Sequence, residues 1–248
     1  MTDLEEISYR NIVLDSLPMM IGNTMEVLIM TINLHYATNN VMVAGLGLSM
    51  ILVHSLGGSL LYGFNNGYST HASRAFGANN RTKFSRYCIQ GFLNLFLLLI
   101  LLVTFGLFTY QLCILTGQQE ELAAEAHRFY VWQLPGLCFF FTADFLRSYL
   151  NSQAIFQPLN YANAFACIFH VAISACLSRP FGFYGIVLST NLTFLVLLLL
   201  TIFTLYKHSK WPLNRELLVF EGWQEDYKAF FEECLYVALP FLLDLFMF

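Results

Sequence analysis

Between residues 12 and 206 the sequence repeats one pattern, apolar runs of roughly 20 residues or more separated by short polar stretches. That pattern leaves few folds open. A hydrocarbon core about 30 Å thick is crossed by about 20 residues of α-helix, and the runs predict spans near 12–35, 41–73, 88–115, 128–152, 159–178 and 183–206. A long helical bundle in water would need far more charge on its outer faces. Composition agrees: 57% of the 248 residues are hydrophobic and 11% charged, against about 25% charged in a soluble domain. The chain therefore reads as an all-α integral membrane protein, a six-transmembrane-helix bundle.

The rest of the chain is organised around that bundle. Residues 1–11 form a polar, mostly acidic segment without the basic start and cleavage site of a secretory signal. Residues 207–233 read as a polar amphipathic linker. Residues 234–248 (CLYVALPFLLDLFMF) begin a seventh apolar helix. Its 15 residues span about 22 Å as helix, short of the core, so this segment is expected to be cut short, to enter a protein-lined cavity or to meet another chain.

Lys and Arg of short loops favour the cytoplasmic side or its equivalent. With an inside N-terminus, six spans place Arg10, Arg74, Arg81, Lys83, Arg86, Arg147, Lys207, Lys210, Arg215 and Lys228 inside. Only Arg128 and Arg179 fall outside, beside the acidic loop Gln118 to Glu125. The four cations between Gly67 and Arg86 thus mark an inside turn, where Gly77 and Asn79 can take left-handed backbone angles. A net charge of −4 and the lack of aromatic interleaving argue against nucleic acid. No phosphate loop or catalytic constellation occurs, so an enzyme is not indicated. Six cysteines lie singly with no C-x-x-C pair, which gives no metal or redox spacing and no cofactor.

Polar groups inside the spans carry the functional information, because each is costly in hydrocarbon unless it faces a cavity or a partner. Asn23, Glu26, Met30 and Asn33 recur at helical spacing on one face of the first span, either lining a cavity or, for Glu26, bonding a neighbouring helix. Tyr62, Asn66, Ser69 and Ser73 give the second span a similar stripe, with His54 and His71 elsewhere on it. It reads as the facing wall of the same cavity or as helix-packing polarity. Asp144 and Arg147, three apart, form a structural ion pair. His170 shares a face with Ser174, and Thr190, Asn191 and Thr193 continue the polarity in the sixth span.

Several segments together resemble the multidrug and toxic compound extrusion (MATE) family, especially its eukaryotic branch. GFNNGYSTHASRAFGAN is similar to that family's G-x-x-x-A-x-E-T-x-x-x-Q-A-x-G-A signature at Gly63, Thr70, Ala75, Gly77 and Ala78. RSYLNSQAIFQPL resembles R-x-x-L-Q-x-Q-x-x-x-x-P at Arg147, Leu150, Gln153 and Pro158. Pro135, His170, Gly182, Gly185 and Pro240 also fall at family positions. The resemblance implies one six-helix lobe of a two-lobe secondary transporter, with substrate between or within the lobes. At its coupling positions this chain departs from the pattern. Asn33 stands for the helix-one Asp of bacterial and archaeal members, Ser69 for a Glu, Arg74 for a Gln, Ser174 for an Asn and Phe248 for the helix-seven Glu, with Asp244 one turn earlier.

The resemblance implies an antiporter that exports a small organic cation or metabolite against protons or sodium. Its candidate cavity is Asn23, Glu26, Asn33, Asn66, Ser69, His170 and Asp244, with Glu26 or Asp244 substituting for the usual carriers. The alternative is a degenerate, non-transporting structural subunit that meets other membrane protein subunits. A second lobe lying beyond residue 248 is the third expectation. In each case the lipid bilayer is a partner and nucleic acid is not.

Overall fold

The computed structural model describes residues 27–213 and 222–244, and among them every regular element is helical. A short apolar helix α1 (Val27–Tyr36) leads into α2 (Asn40–Leu52), whose first turn is capped by Asn39, its side-chain oxygen accepting from the Met42 N–H at 2.7 Å. A π-helical turn, Val53–Gly58, joins α2 to α3 (Ser59–Gly77) without interrupting the rod. The remaining helices are α4 (Arg81–Leu115), α5 (Glu120–Asn151), α6 (Gln157–His208) and α7 (Tyr227–Asp244).

Four stretches of the described residues are long and apolar enough to cross a membrane: Asn40–Gly77, Arg81–Leu115, Glu120–Asn151 and Gln157–His208. The spans expected at 159–178 and 183–206 both lie within α6. Its 52 residues would extend about 78 Å as one straight rod, far beyond a bilayer core. Gly182 resolves this, with φ 53° and ψ −124°, a conformation that side-chain-bearing residues rarely adopt. The chain reverses there, and residues on either side face one another: Thr193 meets His170 and Ser189 meets Ser174. α6 is thus a hairpin of two antiparallel arms, 157–181 and 183–208, turning at a single residue. Arg128 covers the turn, its guanidinium 3.9 Å from the Phe183 ring centre.

Helix boundaries depart from the hydropathy reading at several ends. α4 starts at Arg81 and α5 at Glu120, so both extend through stretches read as loop. Polar residues at a helix end escape a hydropathy reading, yet they suit the position. Asn80 caps α4 by accepting the Lys83 N–H at 3.0 Å, and Glu120 and Glu121 occupy the first turn of α5, where the helix dipole favours negative charge. The turn between α3 and α4 follows the expected chemistry, with Asn79 left-handed at φ 52°. α7 begins at Tyr227, inside the segment read as linker.

α5 is the central helix, packed against α2, α3, α4 and α6. Its buried Phe129, Tyr130, Phe141, Phe145 and Tyr149 dominate the core with Tyr68 of α3 and Phe84 of α4. α7 docks on α3 along a seam of small residues. A Cβ on Gly67 would lie 2.8 Å from Cys234 Sγ, and one on Gly63 would overlap Ala238. The G-x-x-x-G of α3 therefore receives the C-x-x-x-A of α7, the close backbone approach that small residues permit between membrane helices.

Candidate functional site

A cleft opens at mid-height, walled by Ile29 and Met30 of α1, Met50 of α2, the π turn, Tyr62 of α3, a face of α5 and the second arm of α6. Its lining is mixed. Phe140, Phe141 and Phe194 supply aromatic surface, while His54, Tyr62, Gln133 and Thr190 supply polar groups. The π turn sets His54 and Gly58 toward this space. Such single-turn widenings occur often at functional sites. His54 is exposed, and its ring makes no hydrogen bond among the described residues.

Behind one wall lies a buried polar chain. Thr193 donates to the Ser189 carbonyl at 2.7 Å, so its oxygen accepts from His170 Nδ1 at 2.9 Å. The other ring nitrogen, Nε2, lies 3.3 Å from the Ser174 hydroxyl, which itself donates to Ser189 Oγ at 3.1 Å. The chain stitches the two arms of α6 together and buries His170 completely. One helix away, Asn33 donates to Thr190 Oγ1 at 2.9 Å, while its own Oδ1 is buried without a partner. That bond ties α1 to the hairpin at the edge of the cleft.

The α5 wall is broken by Pro135, which lacks an N–H and crowds the preceding turn. Asn191 of α6 repairs the break. Its Oδ1 accepts from the Gly136 N–H at 3.2 Å and its Nδ2 donates to the Trp132 carbonyl at 3.0 Å. These are the two groups an uninterrupted helix would pair with each other, so the side-chain amide is inserted into the ladder between cleft residues Gln133 and Leu137.

At the end of the lobe carrying Arg81 and Arg86, most polar side chains make at least one bond, although Arg86 Nε, Gln90 Oε1 and Asn94 Nδ2 are buried without partners. Asp144 is buried and accepts from Asn65 at 2.6 Å and from Arg147 Nε at 3.0 Å. The Gln153 side-chain oxygen accepts from the Trp211 N–H at 2.9 Å and the Ser209 hydroxyl at 3.1 Å, and Tyr149 donates to the Trp211 carbonyl. Gln90 donates to the carbonyls of Trp223 and Glu225, Arg86 pairs with Glu225 at 2.6 Å, and Tyr227 donates to Asn94 at 2.9 Å.

The sequence-derived positions fall in several places. Asn33 reaches the edge of the cleft and His170 the chain behind it, and Asp144 accepts from Arg147 three residues on. Asn66 is exposed and Ser69 half-buried on α3, and neither lines the cleft; on α3 the buried amide is its neighbour Asn65. Asn23, Glu26 and the side chain of Asp244 lie outside the described residues. Gln133, Leu137, Phe140 and Phe141 share one face of α5 at helical spacing, yet on a helix this buried such a face reads as core. Among the described residues no group of His, Cys, Asp and Glu is placed to hold a metal ion.

Comparison with known proteins converges on one group. The MatE family model matches residues 16–176. Protein DETOXIFICATION 56 of Arabidopsis thaliana is 27% identical over 68% of this chain and 35% of its own length. Protein DETOXIFICATION 49 of the same plant is 30% identical over 79% of this chain and 40% of its own. The crystal structure of the eukaryotic MATE transporter AtDTX14 superposes with a TM-score of 0.82 at 18% identity, covering 95% of this chain and 53% of that one. The Vibrio cholerae MATE transporter VcmN in its bent form follows at 0.76 and 14% identity, covering 96% and 54%. The chain spans about half the length of those solved transporters, and the matched stretches span less of the curated relatives.

Proposed function

The chain belongs to the MatE family of membrane transporters, and we propose that it forms one six-span lobe of a secondary antiporter that moves organic cations or metabolites against protons or sodium. The observation that carries the reading is the cleft. Aromatic faces attract an organic cation, and a few convergent polar groups orient a ligand in an otherwise apolar pocket. Phe140, Phe141 and Phe194 supply the first, and Tyr62, Gln133 and Thr190 the second.

The count of six rests on taking the two arms of α6 as separate spans and on residues 12–35 forming the first. The inward placement of the basic end follows from the distribution of Lys and Arg. Along the π turn and α3, the exposed His54, Asn66 and Ser73 form a polar face in a segment of membrane-spanning length. Such a face supports a water-filled or protein-covered surface there, since lipid would leave those groups unsatisfied. Alternating access needs a second body, and that face is where one would act.

Dye flux tests the proposal. With the protein reconstituted in liposomes preloaded with ethidium, efflux should accelerate when an inward-directed proton or sodium gradient is imposed, and competing organic cations should slow it. Flux that neither gradient changes would remove the antiport reading.

A further inference from the structure

Among the described residues lining the cleft, His54 alone is of a type that ordinarily changes charge between about pH 5 and 8. Its setting differs from that of His170. His170 is enclosed, with both ring nitrogens bonded to hydroxyls, and serves packing. His54 is exposed, its ring makes no hydrogen bond among the described residues, and it stands on a π-helical turn that widens the rod where the cleft opens.

Resting on the antiport reading above, we propose that His54 is the proton-responsive residue of the cleft, and that its protonation and the binding of a cation there exclude one another. The neighbouring elements leave it free for that role. Among the cleft residues, α1 presents Ile29 and Met30, α2 Met50, α5 Gln133, Leu137, Phe140 and Phe141, and α6 Thr190 and Phe194, none of them titratable in this range. α3 presents the Tyr62 phenol, ordinarily neutral below about pH 10. Asn33, at the edge, is an amide bonded to Thr190. Glu26, four residues before Met30 in sequence, lies outside the described residues and enters as the rival carrier.

The physics is competition in a poorly hydrated space. A neutral imidazole offers a cation an acceptor nitrogen beside aromatic faces, whereas an imidazolium places like charge against it, and the interaction grows as the effective dielectric falls. Cation affinity should therefore be high above the titration of His54 and low below it. Loading the cation expels the proton, and the proton expels the cation, which is the exchange an antiporter performs.

The test is equilibrium binding of tetraphenylphosphonium to the purified full chain in lipid nanodiscs at pH 5.5 and pH 8. The wild type should bind severalfold more weakly at pH 5.5 than at pH 8, because only the protonated ring competes with the cation. H54Q should bind at both values with the affinity of the wild type at pH 8, and H54R weakly at both, so the two variants bracket the neutral and charged states even if one folds poorly. A pH dependence that survives in H54Q overturns the assignment, and its loss in E26Q would place the proton on Glu26. A wild type that binds no cation at either pH brings down the transport reading, and this inference with it.

Discussion

The basic end of the lobe and its mid-height cleft differ in how far their polar residues are committed to one another. At the basic end Asp144, Asn65 and Arg147 pair with one another, and Gln153 and Gln90 pair with backbone at the start and end of the inter-helical segment. At the cleft the His54 ring makes no hydrogen bond among the described residues, and Asn33 keeps an unpartnered oxygen at its edge. Paired polar groups in an apolar surround fix one geometry. Unpaired ones cost stability, as Arg86 Nε, Gln90 Oε1 and Asn94 Nδ2 do within the basic end itself; where the group faces an open cleft, as His54 does, it also keeps capacity for a ligand.

Removing Asp144 should produce the largest loss. Asp144→Ala leaves Arg147 and Asn65 without their shared acceptor in a mostly buried site, and breaking a buried pair from one side costs about 3–5 kcal/mol. The expected readout is a marked fall in the thermal midpoint of detergent-solubilised protein. Replacing both partners, Asp144→Asn with Arg147→Gln, should recover part of it. If Asp144→Ala unfolds like the wild type, the pair is not scaffold and the contrast with the cleft fails.

Asn191 stands between the two regimes, since its bonds are structural but its place is the cleft wall. Asn191→Leu withdraws both bonds that bridge the Pro135 break and should cost about 2–3 kcal/mol at roughly 1–1.5 per bond. Pro135→Ala in the same background should restore a portion, because the α5 ladder can then close on itself. Equal stabilities for the single and double variants would show that the amide does not serve as a plug.

The sequence carried the broad plan because span length and the scarcity of charge are imposed by the bilayer. It carried the Gly77 to Asn80 turn and the Asp144–Arg147 pair because both are local, set by backbone chemistry and by spacing along one helix. The cleft was less legible. The Asn191 plug joins residues more than fifty positions apart, and no periodicity announces it. The facing stripe on α3 was read at the correct spacing, but rotation of that helix turns Asn65 inward and Asn66 outward, a one-residue choice that polarity alone does not make. The π turn at Val53–Gly58 has no hydropathy signature, and it is what brings His54 to the cleft.

The smallest effect is expected where pairing is most exposed. Arg86 and Glu225 lie 2.6 Å apart, but the Glu225 side chain is 62% accessible, so water and salt screen the pair and its contribution falls at about 0–1 kcal/mol. Arg86→Gln should therefore shift the unfolding midpoint slightly, and less as salt is raised. Gln90 binds the same segment through two backbone carbonyls and is buried at 1% accessibility. Gln90→Leu should cost more than Arg86→Gln, by an amount salt leaves unchanged, because what it loses are buried hydrogen bonds rather than screened charge. If the order is reversed, the segment before α7 is held by surface electrostatics, and the basic end is less of a fixed scaffold than its buried bonds indicate.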